Sequence, residues 1–391
     1  MIIIYIVLAI SITINILFII YDVLPYIIPV IVRKNLKSKN IVRDVYTLEN
    51  LITSASLSLI KNKSSMMSWH TGGLYMVIFK KIFTKSSTKE FKNYNYPRGF
   101  LLYGLSEYLI KTDNNTELLN LKNIFDKYYI TVQGDFNFNF NKVDQATFGL
   151  IAINLYKTFK DVKYKVFIDN IYSFIHQKYK KDNLVLYREK TECEFNDTIG
   201  MIVPFLVKYY QLSSDVDALE IASNQMSFFI KYGVDDKTFL PSHGINIKAK
   251  IKTGSSNWGR GIGWYLIGLK ELFELNGSFK NEYEGICATL QKVKNDDGLW
   301  GQFPGSKNNF DASTTTMFIY SLPQNEFSHD EVLSKLNKYI TKKGYINLTS
   351  GDTEGLNYYS KFFGTSELSQ GFLHLILSRY ENRNHYAPVK K

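Results

Sequence analysis

From residue 96 to 380, apolar side chains recur every three to four positions in long segments, and little of the chain alternates with the period of a strand. Loops rich in Asn, Gly, Ser and Lys separate the segments. This pattern predicts helices throughout. Six of them open alike, with a polar start running into a nearly continuous apolar stretch: PRGFLLYGLSEYL from Pro97, VDQATFGLIAINLY from Val143, NDTIGMIVPFLVKYY from Asn196, WGRGIGWYLIGLKELF from Trp258, DASTTTMFIYSL from Asp311 and ELSQGFLHLILSRY from Glu367. Between them lie amphipathic segments such as NTELLNLKNIFDKYY, VKYKVFIDNIYSFIHQKYK, SDVDALEIASNQMSFFIKY and HDEVLSKLNKYITKK, with one more at 44–61. Alternation of buried and one-sided helices predicts an all-α fold in which an inner ring is wrapped by an outer one, an (α/α)6 barrel. A stacked solenoid has similar periods. The sixfold count, and the polar residues gathered at the starts of the apolar helices, favour the closed ring.

The N-terminus departs from this pattern. Residues 2–21, IIIYIVLAISITINILFIIY, carry no charge, and about twenty helical residues at roughly 1.5 Å each match the hydrocarbon thickness of a bilayer. A cleaved leader would want a basic start and a small-residue cleavage site, and neither is present. The expectation is a single-pass membrane anchor with its juxtamembrane segment over 1–32 and a barrel domain over 40–391. Arg33, Lys34, Lys37, Lys39 and Arg43 follow the apolar run, so the positive-inside rule leans the barrel toward the cytoplasm.

The formal charge of +11 is spread along the chain without the basic clusters and interleaved aromatics that nucleic acid requires. No nucleic-acid partner is expected. Cys193 and Cys287 are the only cysteines, and the six histidines show no HxxxH spacing, so neither a disulfide framework nor a zinc site is expected.

Candidate chemistry concentrates at the helix openings. GRGIG within NWGRGIGWYLIGL (257–269) lacks the preceding strand of a dinucleotide fold and the Gly-Lys-Ser/Thr of a phosphate loop. It reads instead as a tight helix entry, with Arg260 between Trp258 and Trp264. A guanidinium beside aromatic rings suits a sugar ring bearing a carboxylate; simple helix packing is the alternative. Asp197 in FNDTIGMIVPFL either caps its helix or, with Asp144 of KVDQATFGL, faces one cavity where mutual repulsion would raise one carboxyl toward use as a general acid. His243, in LPSHGIN, would reach the same rim or be solvated.

These blocks, FNDTIGMIVPFL, SHG, WGRGIGWYLIGL and DGLWGQFPGSKNNFDASTTTMFIYSL, resemble in order and spacing glycoside hydrolase families 88 and 105, the unsaturated glucuronyl and rhamnogalacturonyl hydrolases. The resemblance implies the six-hairpin glycosidase barrel. It also implies an oligosaccharide substrate with a 4,5-unsaturated uronic acid at its non-reducing end, cleaved after hydration of the double bond, with no metal or organic cofactor. By the same resemblance Asp197 is the general acid/base, Asp144 its companion carboxylate, and His243, Trp258, Arg260 and Trp264 bind substrate. Glu194-Phe195-Asn196 before the catalytic block, DASTTTMF in place of the family's Ser-rich block, and the apolar N-terminus depart from the family pattern. A membrane-tethered protein of glycan binding or surface-polysaccharide assembly is the rival reading. A sugar epimerase on the same fold would want several pocket histidines.

Overall fold

The computed structural model describes residues 2–24, 44–61, 93–178, 184–188, 191–306, 310–353 and 355–380, with a few isolated positions between them. Helix α1, Ile2–Phe18, ends in a π-helical turn, Ile19–Val23, and buries none of its residues. The barrel follows as α2 (Val45–Lys61), α3 (Tyr96–Lys111), α4 (Asn115–Tyr128), α5 (Phe148–Phe159), α6 (Val162–Lys178), α7 (Asn196–Ser213), α8 (Val216–Gly233), α9 (Gly259–Asn276), α10 (Lys280–Lys292), α11 (Ala312–Ser321), α12 (His329–Asn337) and α13 (Glu367–Ser378). The proposed domain boundary, and the basic residues from Arg33 to Arg43, fall among 32–43, outside the described residues.

The two rings bury their residues differently. Inner helix α9 is buried without interruption from Gly259 to Leu272, whereas outer helix α4 buries only Leu118, Leu121 and Phe125, a single stripe. The inner helices α3, α5, α7, α9, α11 and α13 pack each on the next, and α13 packs on α3. That last contact closes the ring and excludes the solenoid. At the seam the backbones touch: a Cβ on Gly104 would lie 2.1 Å from the Gly371 carbonyl oxygen, and one on Gly371 would lie 2.4 Å from that of Phe100. Arg98 of α3 crosses the same seam, donating from Nε and Nη2 to the two carboxylate oxygens of Glu367, each at 2.9 Å, with both side chains buried.

Two details differ from the sequence reading. The Val143 opening begins as a 3₁₀ turn, Val143–Thr147, before α5 takes over. The outer helix α10, which buries Tyr283, Ile286, Cys287 and Leu290 among charged neighbours, is absent from the sequence reading and completes the outer ring.

Short strands organise the rim of the barrel where the inner helices begin. β1 (Cys193–Phe195), β2 (Gly244–Asn246) and β3 (Ile251–Thr253) form an antiparallel sheet in that order. β4 (Thr349–Ser350) pairs with β5 (Phe363–Gly364) and brackets the segment between them.

Candidate active site

β1 runs directly into α7, and its pairing with β2 sets His243 beside the first turn of that helix. The Asn196 N–H donates to the His243 carbonyl at 3.0 Å. Asp197 does not cap the helix: Phe195 holds the N-cap position, and Asp197 Oδ2 makes no hydrogen bond within the protein. It lies 3.4 Å from His243 Nε2. That contact is long and poorly aligned, as such pairs often are before a substrate tightens them.

Around this pair opens a cavity of about 210 Å³, walled by Asp197, His243, Trp258 and Arg260, by Tyr96 at the start of α3, and by Tyr187, Arg188 and Asp352 from loops. Trp258 packs its ring 4.3 Å from that of His243, and its buried indole N–H makes no hydrogen bond within the protein. Orphan buried polar groups are uncommon in native structures. Those of Asp197 and Trp258 belong to residues that line one cavity.

Arg260 is committed within the fold. Its Nη1 donates to the Ser350 carbonyl at 2.9 Å, its Nη2 to that of Gly351 at 2.6 Å, and Nη2 lies 3.7 Å from Asp352 Oδ1. Asp352 Oδ1 also accepts from the Tyr96 hydroxyl at 2.6 Å. Arg260 thus lines the cavity while its fork grips the segment that brings Asp352 there. Arg260→Lys is expected to lower stability by about 1.5–3 kcal/mol, the worth of charge-assisted hydrogen bonds, because one ammonium cannot span two carbonyls. An unchanged melting temperature would show that the grip contributes nothing.

Asp144 lies on the 3₁₀ turn, buried, with Oδ1 lacking a hydrogen bond. Its carboxyl is pushed up to about 6, first by burial and then by the negative charge of Asp352, against the pull of Lys142 and Arg188. Repulsion between Asp144 and Asp197 was the sequence expectation; the raised group is Asp144, and burial with Asp352 is the cause. Because the folded state holds this proton more tightly than the unfolded chain, its stabilisation is complete below about pH 4 and is lost as pH rises through about 6. Asp144→Asn removes the buried charge and is expected to stabilise the protein by about 3 kcal/mol above pH 7, with no gain near pH 4. Urea titrations at the two pH values measure this; equal gains at both would refute it.

Trp264 is corrected. It is 1% exposed, packed against Phe100 and Phe372, and its Cε3 would lie 2.4 Å from a Cβ on Gly200. One helical turn beyond Arg260 it faces the barrel core rather than the cavity. The glycines of the motif serve close packing: a Cβ on Gly259 would meet Thr314 at 2.4 Å, and one on Gly261 would meet Trp258 at 2.5 Å. DASTTTMF and DGLW are likewise structural. Asp311 caps α11 through the Thr314 N–H and accepts from the Ser350 N–H, and Trp300 Nε1 donates to the Leu290 carbonyl.

The family profile described as Glycosyl Hydrolase Family 88 matches residues 75–372. Among solved structures, a possible member of family 105 from Klebsiella pneumoniae superposes with a TM-score of 0.70 at 17% identity, over 88% of this chain and 94% of its own. The family 105 glycoside hydrolase of C. acetobutylicum gives 0.63 at 21% identity, over 77% of this chain and 95% of its own. An α-1,6-mannanase from Salegentibacter sp. HEL1_6 gives 0.56 at 14% identity, over 86% and 99%, so this fold alone does not fix a substrate. The profile extends from before α3 into α13 and takes in every inner helix opening, and on that match the chain is a member of glycosyl hydrolase family 88.

Proposed function

We propose that the protein hydrolyses oligosaccharides ending in a 4,5-unsaturated uronic acid by hydrating the double bond. The observation that carries this reading is Asp197, a carboxylate with an oxygen left unbonded by the protein, in a cavity that also presents two guanidinium groups, Arg188 and Arg260. In the proposed reaction protonated Asp197 delivers its proton to C4, and positive charge develops at C5, shared with the ring oxygen. The carboxylate then takes a proton from the water that adds to C5. Opening of the hemiketal so formed breaks the bond from C5 to the ring oxygen and leaves a ketone at C5 and a hemiacetal at C1, whose collapse to an aldehyde releases the remaining sugar chain. An enol ether already has the electron density to accept a proton, so general acid/base catalysis is sufficient for the step. Asp144 serves as the companion carboxylate near the ring hydroxyls, and Trp258 offers its ring face and its indole N–H.

Loss of the ultraviolet band of the conjugated uronate, on adding enzyme to lyase-generated oligosaccharides, tests the reaction. Binding without loss of the band would favour a tethered glycan-binding protein instead.

Residues 2–23 are long and apolar enough to cross a bilayer and bury none of the apolar window; the same features suit a secretory leader. The proposal is an uncleaved anchor with the barrel on the cytoplasmic side, supported by the basic residues after it. Full-length protein should then resist carbonate extraction, a form starting near Asn40 should be soluble and active, and the barrel should survive protease added to spheroplasts. Digestion of the barrel would overturn the orientation.

A further inference from the structure

We propose that Tyr359 is a positioning residue whose hydroxyl fixes His243 in the Nε2–H tautomer, so that the imidazole presents a donor to the Asp197 carboxylate. The catalytic part of this rests on the reading of Asp197 as the general acid/base; the tautomer does not.

Tyr359 lies in the segment bracketed by β4 and β5, 116 residues from His243 in sequence. Its oxygen accepts the Ser255 backbone N–H at 2.9 Å and lies 3.3 Å from His243 Nδ1. With a fixed donor already on the oxygen, the phenolic proton is the one to be given to Nδ1. Burial, and further down the charge of Asp197, hold the phenol above its ordinary range, so that proton is retained at neutral pH. Were Nδ1 protonated instead, two donors would converge on the phenol oxygen and its own proton would lose this acceptor.

The ring has little freedom to turn away. The His243 backbone is held on both sides, its N–H donating to the Ser255 carbonyl at 3.1 Å and its carbonyl accepting from Asn196. Trp258, Phe195 and Tyr359 pack around the imidazole. An Nδ1 acceptor then places the proton on Nε2, the atom 3.4 Å from Asp197 Oδ2. The opposite tautomer would set a lone pair against the carboxylate. The group bonded to one imidazole nitrogen decides what the other presents, and such indirect partners typically change activity by about 10- to 100-fold where they have been removed from metal-bound histidines.

The test uses the full chain in detergent, labelled with [15N]histidine, and long-range 15N–1H spectra at pH 8, with His243 identified by its loss in His243→Gln. The expected result is an Nε2–H tautomer in the wild type and a mixed tautomer in Tyr359→Phe. In the same variant kcat should fall roughly tenfold or more with KM within about twofold. A merely structural tyrosine would leave the tautomer unmoved. An Nδ1–H tautomer in the wild type overturns the proposal, as does a folded Tyr359→Phe with unchanged tautomer. Should that variant fail to fold, the wild-type spectrum still decides. The expected tautomers with no activity on any unsaturated uronide would support the role of Tyr359 and sink the proposed substrate.

Discussion

Asp197→Asn is expected to fold as the wild type does and to lose about 100- to 10,000-fold in turnover, the range general acid/base groups contribute. The side chain does not cap α7, and its Oδ2 makes no hydrogen bond within the protein. Removing the charge therefore breaks no hydrogen bond of the fold and alters only the long contact with His243. The side chain is 18% exposed, so the amide keeps some contact with water and the change has little structural cost. An amide keeps the shape and can still meet His243, but it can neither deliver a proton to C4 nor take one from the attacking water. The loss should accordingly fall on kcat, with KM little changed. Near wild-type turnover in a folded Asp197→Asn would remove Asp197 from the mechanism.

The parts legible in the sequence are those written into local pattern. Six apolar openings predict the inner ring because inner helices are buried on nearly every side. Asp197, Trp258 and Arg260 were legible because each stands at such an opening, and His243 because SHG is one of the blocks that carry the family resemblance. Asp352, Tyr187, Arg188 and Tyr359 were not. They sit in segments without periodicity and reach the site through long-range bonds: Asp352 through Tyr96 and Arg260, and Tyr187 and Arg188 through Gln225, whose side chain holds both the N–H and the carbonyl of Val185. One signal was available in retrospect. Arg260, buried at a helix entry, required acceptors, and a Gly-Asp pair in a later loop, Gly351 and Asp352, was a candidate to supply them. Trp264 misled for the opposite reason. It belongs to the same block as Trp258 and Arg260, yet a position one turn beyond Arg260 on a helix buried from Gly259 to Leu272 points to packing.

Arg98→Met is expected to destabilise the barrel by about 3–5 kcal/mol, because it leaves the Glu367 carboxylate buried without its two-point partner. Arg98 and Glu367 are 1% and 0% exposed, so water cannot replace the lost bonds. Restoring apolar consistency should recover most of the loss: in the double variant Arg98→Met, Glu367→Leu neither charge of the pair remains, and such replacements are often neutral or stabilising. Urea titrations of the two single variants and the double variant close the cycle. A single variant within about 1 kcal/mol of wild type would mean that the seam is held by the Gly104–Gly371 contact and its apolar neighbours alone. The consequence extends to the site. Arg98 lies two residues after Tyr96, whose hydroxyl holds Asp352, so a loosened seam should also raise KM in the Arg98→Met variant at temperatures where the protein remains folded. The double variant should return both quantities together if the ion pair acts through the position of α3, and stability alone if Arg98 has a separate part in placing Tyr96.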